Sequence, residues 1–263
     1  MTGDAQLTLY ASEFSGGAVF SSTGSTAADA IRQGEAAQGG RIFIGHTELL
    51  CLDGSRTLAD VENLLLHHGL PPACKLLYTQ VEDCFTKADT GAVLESVRMA
   101  ERGGLLAVTD SSTVLEEWLG SRQTALLPAL SDTGLKMVLL RTDGECTVLS
   151  PEAAQGMYWL RRHGNTDFSM TVRMGQNMED VQILRSTLRK TLSDGKLCYK
   201  VGVITDNCPE TVKPALRMLI SRQCRTAVSE MRSARADVIG METLAAYGGI
   251  AFTDAVEIGV EVY

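Results

Sequence analysis

Residues 196–204 read KLCYKVGVI, and the alternation of polar and apolar side chains along them decides the fold class. The same alternation recurs in DFSMTVRM at 167–174 and in AVEIGVEVY at 255–263. A period of two predicts strands with one buried face. A doubly wound parallel sheet is covered on both faces, so its strands read as continuous apolar runs. The alternating strands therefore predict an α+β fold, with mixed or antiparallel sheets and helices mainly on one face, in two layers.

The remaining elements are predicted from turn and helix signals. Residues 135–149 predict a hairpin around Asp143-Gly144, a strong turn signal. Two long helices are predicted at 178–193 and 209–234. The first prediction rests on an apolar stripe at helical spacing, formed by Val181, Leu184, Leu188 and Leu192.

Charge is distributed unevenly along the chain. Residues 161–235 carry 14 basic and 7 acidic side chains, although the whole chain has a net charge of −8. We therefore expect an acidic α/β N-terminal half at 1–130 and an α+β C-terminal half with basic helices at 131–263. One undivided domain is the alternative, because no low-complexity linker separates the halves.

The two predicted basic helices supply candidate residues for binding an anionic partner. A solvated helical face is the plain interpretation, and the alternatives are nucleic acid or an acidic surface on another copy of the chain. Few aromatic residues lie nearby, which weakens the case for stacking on single strands. The candidates are Arg185, Arg189, Lys190, Lys213, Arg217, Arg222, Arg225 and Arg232.

The best candidate nucleophile is Cys208, which lies between a predicted strand and a predicted helix. A thiol at a helix N-terminus has a lowered pKa and a larger thiolate fraction. A nucleophile also needs a base, for which His46 and His163 are the candidates. A structural cap is the alternative role for Cys208.

No pattern of residues predicts a bound metal or cofactor. The sequence lacks zinc-ligand spacing and phosphate-binding glycine motifs. The two Asp-Thr-Gly triplets fit cap and turn positions better than an aspartic protease. Aspartates at the ends of predicted strands offer a Mg²⁺ alternative; they are Asp110, Asp143, Asp206 and Asp254.

The sequence also bears on location. It has no apolar run of membrane-spanning length and no signal peptide pattern, so we expect neither membrane insertion nor secretion. The seven cysteines are an odd number without clustering, which favours free thiols in the cytoplasm.

These observations favour a non-catalytic protein over an enzyme. The leading hypothesis is a self-assembling structural or scaffold subunit of a homo-oligomeric shell, ring, tube or filament, which includes a capsid-like particle. Segregated charge and strands with a polar second face motivate it. The alternatives are a cytosolic enzyme that uses Cys208 or Mg²⁺-bound aspartates, and a nucleic-acid-binding protein that uses the basic helices at 178–234.

Overall fold

The computed structural model describes residues 5–11, 18–53, 58–79, 90–161, 164–193, 196–249 and 256–263. It is an α+β fold, as the alternating strands predict, with helices and mixed sheets. The strands are β1 Ala5–Ala11, β2 Ala18–Gly24, β3 Leu49–Asp53, β4 Lys75–Thr79, β5 Thr124–Ser131, β6 Gly134–Arg141, β7 Cys146–Val148, β8 Gly164–Met174, β9 Asn177–Ser193, β10 Lys196–Asp206 and β11 Val256–Val262. The α-helices are α1 Ala27–Gln38, α2 Leu58–His67, α3 Thr90–Arg102, α4 Ser111–Leu119, α5 Pro151–Arg161, α6 Lys213–Ser233 and α7 Met241–Tyr247, and a short 3₁₀ helix covers Ile44–His46. Within these ranges no helix is both long and apolar enough to span a bilayer.

The C-terminal strands form a four-stranded sheet in the order β11-β10-β9-β8. β9 pairs antiparallel with β8 and β10, whereas β11 pairs parallel with β10. Alternate side chains such as Tyr199, Val201 and Val203 are fully buried on one face. The predicted strands at 167–174, 196–204 and 255–263 are therefore confirmed, and each has one covered face.

The helix predicted at 178–193 is wrong, because this segment is the long strand β9. Its apolar residues alternate on either side of an irregularity near Leu184, where the pairing with β8 and β10 shifts by one residue. The shift brings Val181 and Leu188 to the same face although they are seven residues apart. The resulting spacing resembles a helical stripe, yet Leu184 is exposed. The predicted helix at 209–234 is confirmed as α6, which begins at Lys213.

A five-stranded sheet has the order β3-β4-β5-β6-β7. β3, β4 and β5 are parallel, and β6 and β7 add antiparallel, so the hairpin predicted at 135–149 is confirmed. Neighbouring residues such as Leu126 and Leu127 are both fully buried, because helices cover both faces of this sheet. The predicted domain boundary at residue 130 lies in β5, which pairs with β6 along its length, and the division stays a prediction.

Helix α5 lies in the core between the two sheets and packs against α6. A Cβ atom at Gly156 would lie 2.1 Å from the Gln223 carbonyl oxygen, so the two helix backbones are almost in contact. The Trp159 indole donates a buried hydrogen bond of 2.9 Å to the Gln223 side chain. At the start of α5, the backbone N–H and hydroxyl of Ser150 both donate to Glu230 of α6. These contacts fix how α5 and α6 cross.

A buried ion pair joins α4 to the end of α5. Arg161 Nη2 lies 2.5 Å from a carboxylate oxygen of Glu117, and both side chains are about nine-tenths buried. The other Glu117 oxygen accepts the Leu126 N–H at 2.8 Å. Burial raises the pKa of Glu117 to about 7, and the Arg161 charge and the Leu126 N–H oppose that rise.

Replacing Gly156 by alanine tests the helix contact. We expect Gly156→Ala to lower the free energy of unfolding by about 1–3 kcal/mol, because the added methyl group forces α5 away from α6. Gly40→Ala is the matched control, since no atom lies within 4 Å of the Cβ position there. Urea denaturation measures both variants. Equal stability of Gly156→Ala and the parent would contradict the close helix contact.

Replacing Arg161 by methionine tests the buried ion pair. Glu117 has a folded pKa above its ordinary 4.5, so its contribution to stability is present at low pH and lost as pH rises to about 7. Without Arg161, an ionised Glu117 is buried with no opposite charge beside it. We therefore expect Arg161→Met to lower the free energy of unfolding by about 3–5 kcal/mol at pH 8, where Glu117 is ionised, and by much less at pH 5, where it is protonated.

The control for this pH dependence is Arg141→Met. Arg141 forms exposed ion pairs with Asp143 and Glu145, so its loss is expected to cost less than about 1 kcal/mol at either pH. Urea denaturation at pH 5 and pH 8 supplies the comparison. A cost for Arg161→Met that does not change with pH would contradict a Glu117 carboxyl titrating near neutrality.

Candidate interaction surface

The outward side of the four-stranded sheet, which we call the open face, is covered by none of the described helices. Inward residues alternate with outward ones, so Arg189 is exposed while its neighbour Leu188 packs against the core. The registers place Arg189 of β9 beside Lys200 of β10, and Lys200 beside Gly259 of β11. The open face comprises Ser169, Thr171, Arg173, Asp180, Gln182, Arg185, Thr187, Arg189, Thr191, Cys198, Lys200, Gly202, Ile204, Glu257, Gly259, Glu261 and the ring of Tyr263.

Polar side chains at the β8 end of the open face bond to one another. The Ser169 hydroxyl donates to the Gln182 side chain at 2.6 Å, and the Thr171 hydroxyl donates to Asp180 at 2.6 Å. Cross-strand pairs of this kind stabilise the sheet. This end of the open face is therefore electrostatically satisfied within the chain.

A basic row, which we define as Arg185 and Arg189 with Lys200 beside them, crosses the middle of the open face. Arg189 and Lys200 are directly opposite across the β9–β10 pair. Like charges in that position destabilise a sheet. None of the three cations has an ion-pair or hydrogen-bond partner within the described ranges. The basic row is therefore free to bind an anionic group.

An acidic row, which we define as Glu257 and Glu261, lies on β11 with Gly259 between them. Both glutamates are exposed. A Cβ at Gly259 would meet nothing closer than Lys200 Cγ at 3.6 Å, so packing within the chain does not require glycine there. Tyr263, which is 61% exposed, lies over Gly202 and donates its hydroxyl proton to Glu261. The acidic row thus contains an open notch between two carboxylates.

The cations predicted to bind an anionic partner lie on different surfaces of the structure. Arg185 and Arg189 lie on the open face. Lys190 points inward from the same strand, where its ammonium donates to the Ile239 carbonyl at 2.8 Å and lies 5.8 Å from the centre of the Tyr199 ring. Burial lowers the pKa of Lys190, and the nearby Asp237 opposes that shift.

The predicted cations of α6 lie on the helix side of the sheet. Lys213 pairs with Glu210, and Arg222 pairs with Glu152. The Nε and Nη2 atoms of Arg232 are buried, and no hydrogen-bond acceptor for them lies in the described ranges. Only Arg217 and Arg225 are exposed cations of α6 without a described partner. The predicted cations therefore do not form one continuous surface.

Sequence reasoning did not single out Lys200, Glu257, Glu261 or Tyr263 as binding residues. The signal was available in the alternation of 196–204 and 255–263, whose polar positions all lie on one face of the sheet. The pairing of β10 with β11 brings these positions side by side, and only the structure reveals that pairing.

Cys208 lies before α6 but five residues ahead of its first residue, Lys213. Burial raises the pKa of its thiol, Lys213 and Thr205 lower it, and Glu210 raises it further. The lowered pKa that the sequence predicts for Cys208 is therefore wrong. No histidine is among these groups; His46 is exposed and contacts the Phe43 ring, and His163 lies outside the described residues.

Two of the strand-end aspartates serve local roles, and a third, Asp206, is exposed at the end of β10. Asp110 caps α4 by accepting the Thr113 N–H at 2.9 Å, and Asp143 accepts the Glu145 N–H in the hairpin turn. Asp254 lies outside the described ranges. Across the residues that the structure does describe, no group of three His, Cys, Asp or Glu side chains is arranged to hold a metal ion.

The described residues define an α+β protein in which none of the described helices covers the open face. The fold is similar to the crystal structure of the GerBC protein, with a TM-score of 0.54 and 11% sequence identity over 82% of this chain and 79% of that chain. At this identity the likeness concerns the fold alone. No family model and no curated protein matches the sequence.

Thiol labelling tests the environment of Cys208. Below its pKa the thiolate fraction grows about tenfold per pH unit, so a raised pKa predicts a labelling rate that increases without a plateau from about pH 7 to 8.5. The rate of Cys208 is the difference between the parent chain and Cys208→Ala. Cys74 and Cys224, whose pKa burial raises to about 12, should stay unlabelled in the folded chain. A plateau below about pH 8 would instead identify an activated thiol.

Proposed function

We propose that this chain is a non-catalytic subunit of a homo-oligomeric assembly and that its copies associate through the open face. The observation that carries the proposal is a sheet surface with unpaired cations, two exposed carboxylates and an exposed tyrosine. Tyrosine and arginine are the residues most often found at the energetic centres of protein interfaces. Both types lie on the open face, at Tyr263, Arg185 and Arg189.

The helix side of the sheet supports growth beyond a pair of subunits. Arg217 and Arg225 are exposed on α6, on the side of the sheet opposite the open face. The N-terminal half of the chain is acidic, so these cations can contact that half of a neighbouring copy. A shell, ring, tube or filament requires such a second contact in addition to the first.

The alternative functions receive less support from the geometry. A thiol enzyme needs an activated cysteine, whereas burial raises the pKa of Cys208. A nucleic-acid-binding protein needs cations on one surface, whereas Arg189 and Arg217 lie on opposite sides of the sheet.

We place the assembly in the cytoplasm, because the described cysteines are free thiols.

The oligomeric state of the purified chain tests this proposal. We expect light scattering at micromolar concentration to show species larger than the 28.3 kDa chain. Tyr263→Ser should raise the dissociation constant by about tenfold or more, because it removes an exposed aromatic contact. Tyr247→Ser is the matched control, since Tyr247 is 88% exposed and does not lie on the open face. A monomer under all salt conditions would overturn the proposal.

A further inference from the structure

We infer that two copies of this chain dock with their open faces together around a two-fold axis, so that Arg185 and Arg189 of each face the acidic row of the other. This inference rests on the proposed function and specifies the contact that the open face makes. The axis lies parallel to the strands, above β10. A half-turn about it places β9 of one copy over β11 of the second copy, because β10 lies between them.

The two rows match in spacing and in separation. Arg185 and Arg189 are four residues apart, as are Glu257 and Glu261. At the rise of a strand, each row therefore spans about 13 Å. One strand separates the rows, so they lie about 10 Å apart across the sheet. A half-turn about an axis above β10 therefore places the two arginines of one copy over the two glutamates of the other, in rows of equal length and opposite charge.

The register along the strands places each arginine next to a carboxylate. Arg189 is level with Gly259, since both flank Lys200, and so it faces the notch between Glu257 and Glu261 of the second copy. Arg185 is level with Ile204, one side-chain position beyond Glu261. An arginine side chain is long enough to bridge the remaining offset of about two residues, or roughly 7 Å.

Gly259 explains how the second copy's Arg189 finds room. Glycine weakens a strand, and an interior glycine often marks the close approach of another chain. Its Cβ position is free of close contacts within this chain. A guanidinium over Gly259 would have a carboxylate on each side, and its five N–H donors can bond to both. The notch therefore has the charge for this arginine and no side chain of its own at Gly259.

A second copy fits this surface better than a polyanion. The open face presents cations and carboxylates in adjacent rows, and Glu257 and Glu261 would repel nucleic acid that bound along the basic row. A second copy supplies both charge signs in the required order. The axis also brings the Lys200 residues of the two copies face to face, and the carboxylates of both acidic rows lie on either side of them to offset that repulsion.

Charge reversal followed by mixing tests the two-fold contact. Arg185→Glu with Arg189→Glu makes the open face acidic, and Glu257→Arg with Glu261→Arg makes it basic. By sedimentation, we expect each double variant alone to dissociate at least about tenfold more readily than the parent, since both rows then repel. An equimolar mixture should restore association, because every row contact in the mixed dimer joins opposite charges. Added salt should weaken the parent dimer.

The control is the reversal of Lys136 and Arg141 together, which makes the same change in charge on β6 of the five-stranded sheet, outside both proposed contacts. Circular dichroism confirms that each variant is folded. Where a reversal prevents folding, Arg189→Gln and Glu261→Gln give the same comparison with a smaller change in charge. An unweakened oligomer in both double variants would overturn the two-fold contact and leave the proposed function standing. A monomeric parent chain would overturn both.

Discussion

The contact between α5 and α6 at Gly156 determines the rest of the architecture. No side chain separates the helices at that point, so Trp159 and Gln223 can bond across them in the core. Helix α5 then fits between the two sheets with α6 packed beside it, and the apolar residues of both helices join one core that includes residues from both sheets. Because these helices pack on a single side of the four-stranded sheet, the other side keeps its polar residues exposed. The open face is thus a consequence of the same packing that holds the sheets together.

Some charged residues of this chain are bonded within the fold, and others are exposed without a described partner. Glu117 and Arg161 pair in the core, and Lys190 donates to the Ile239 carbonyl just ahead of α7. Arg185 and Arg189 differ from Lys190 only in which side of β9 they occupy. A count of basic residues therefore overstates the surface that is free to bind a partner, and the strand register decides which cations belong to it.

The sequence predicts β8, β10 and β11 of the four-stranded sheet but not β5 of the five-stranded sheet, because these strands differ in how many of their faces are covered. A strand with one covered face shows a period of two, as in 196–204, whereas β5 is buried on both faces and shows only an apolar run. The helix predicted at 178–193 fails because a register shift near Leu184 imitates a helical period. For the candidate surface, Arg185 and Arg189 could be named from sequence, but Glu257 and Glu261 could not. Their role depends on β11 lying beside β10, a pairing that joins segments more than fifty residues apart.

A charged open face also determines the kind of association that this chain can make. An apolar sheet surface would bind many partners and aggregate, since it gains free energy from any burial. Charge rows add little net affinity after desolvation, yet they strongly disfavour every register that aligns like charges. Tyr263 and Ile204 supply apolar area at the end of the basic row, where Arg185 and Ile204 are neighbours across β9 and β10. In the proposed assembly, affinity from these apolar groups and selection by the charge rows would together give a reversible, salt-sensitive contact with one orientation.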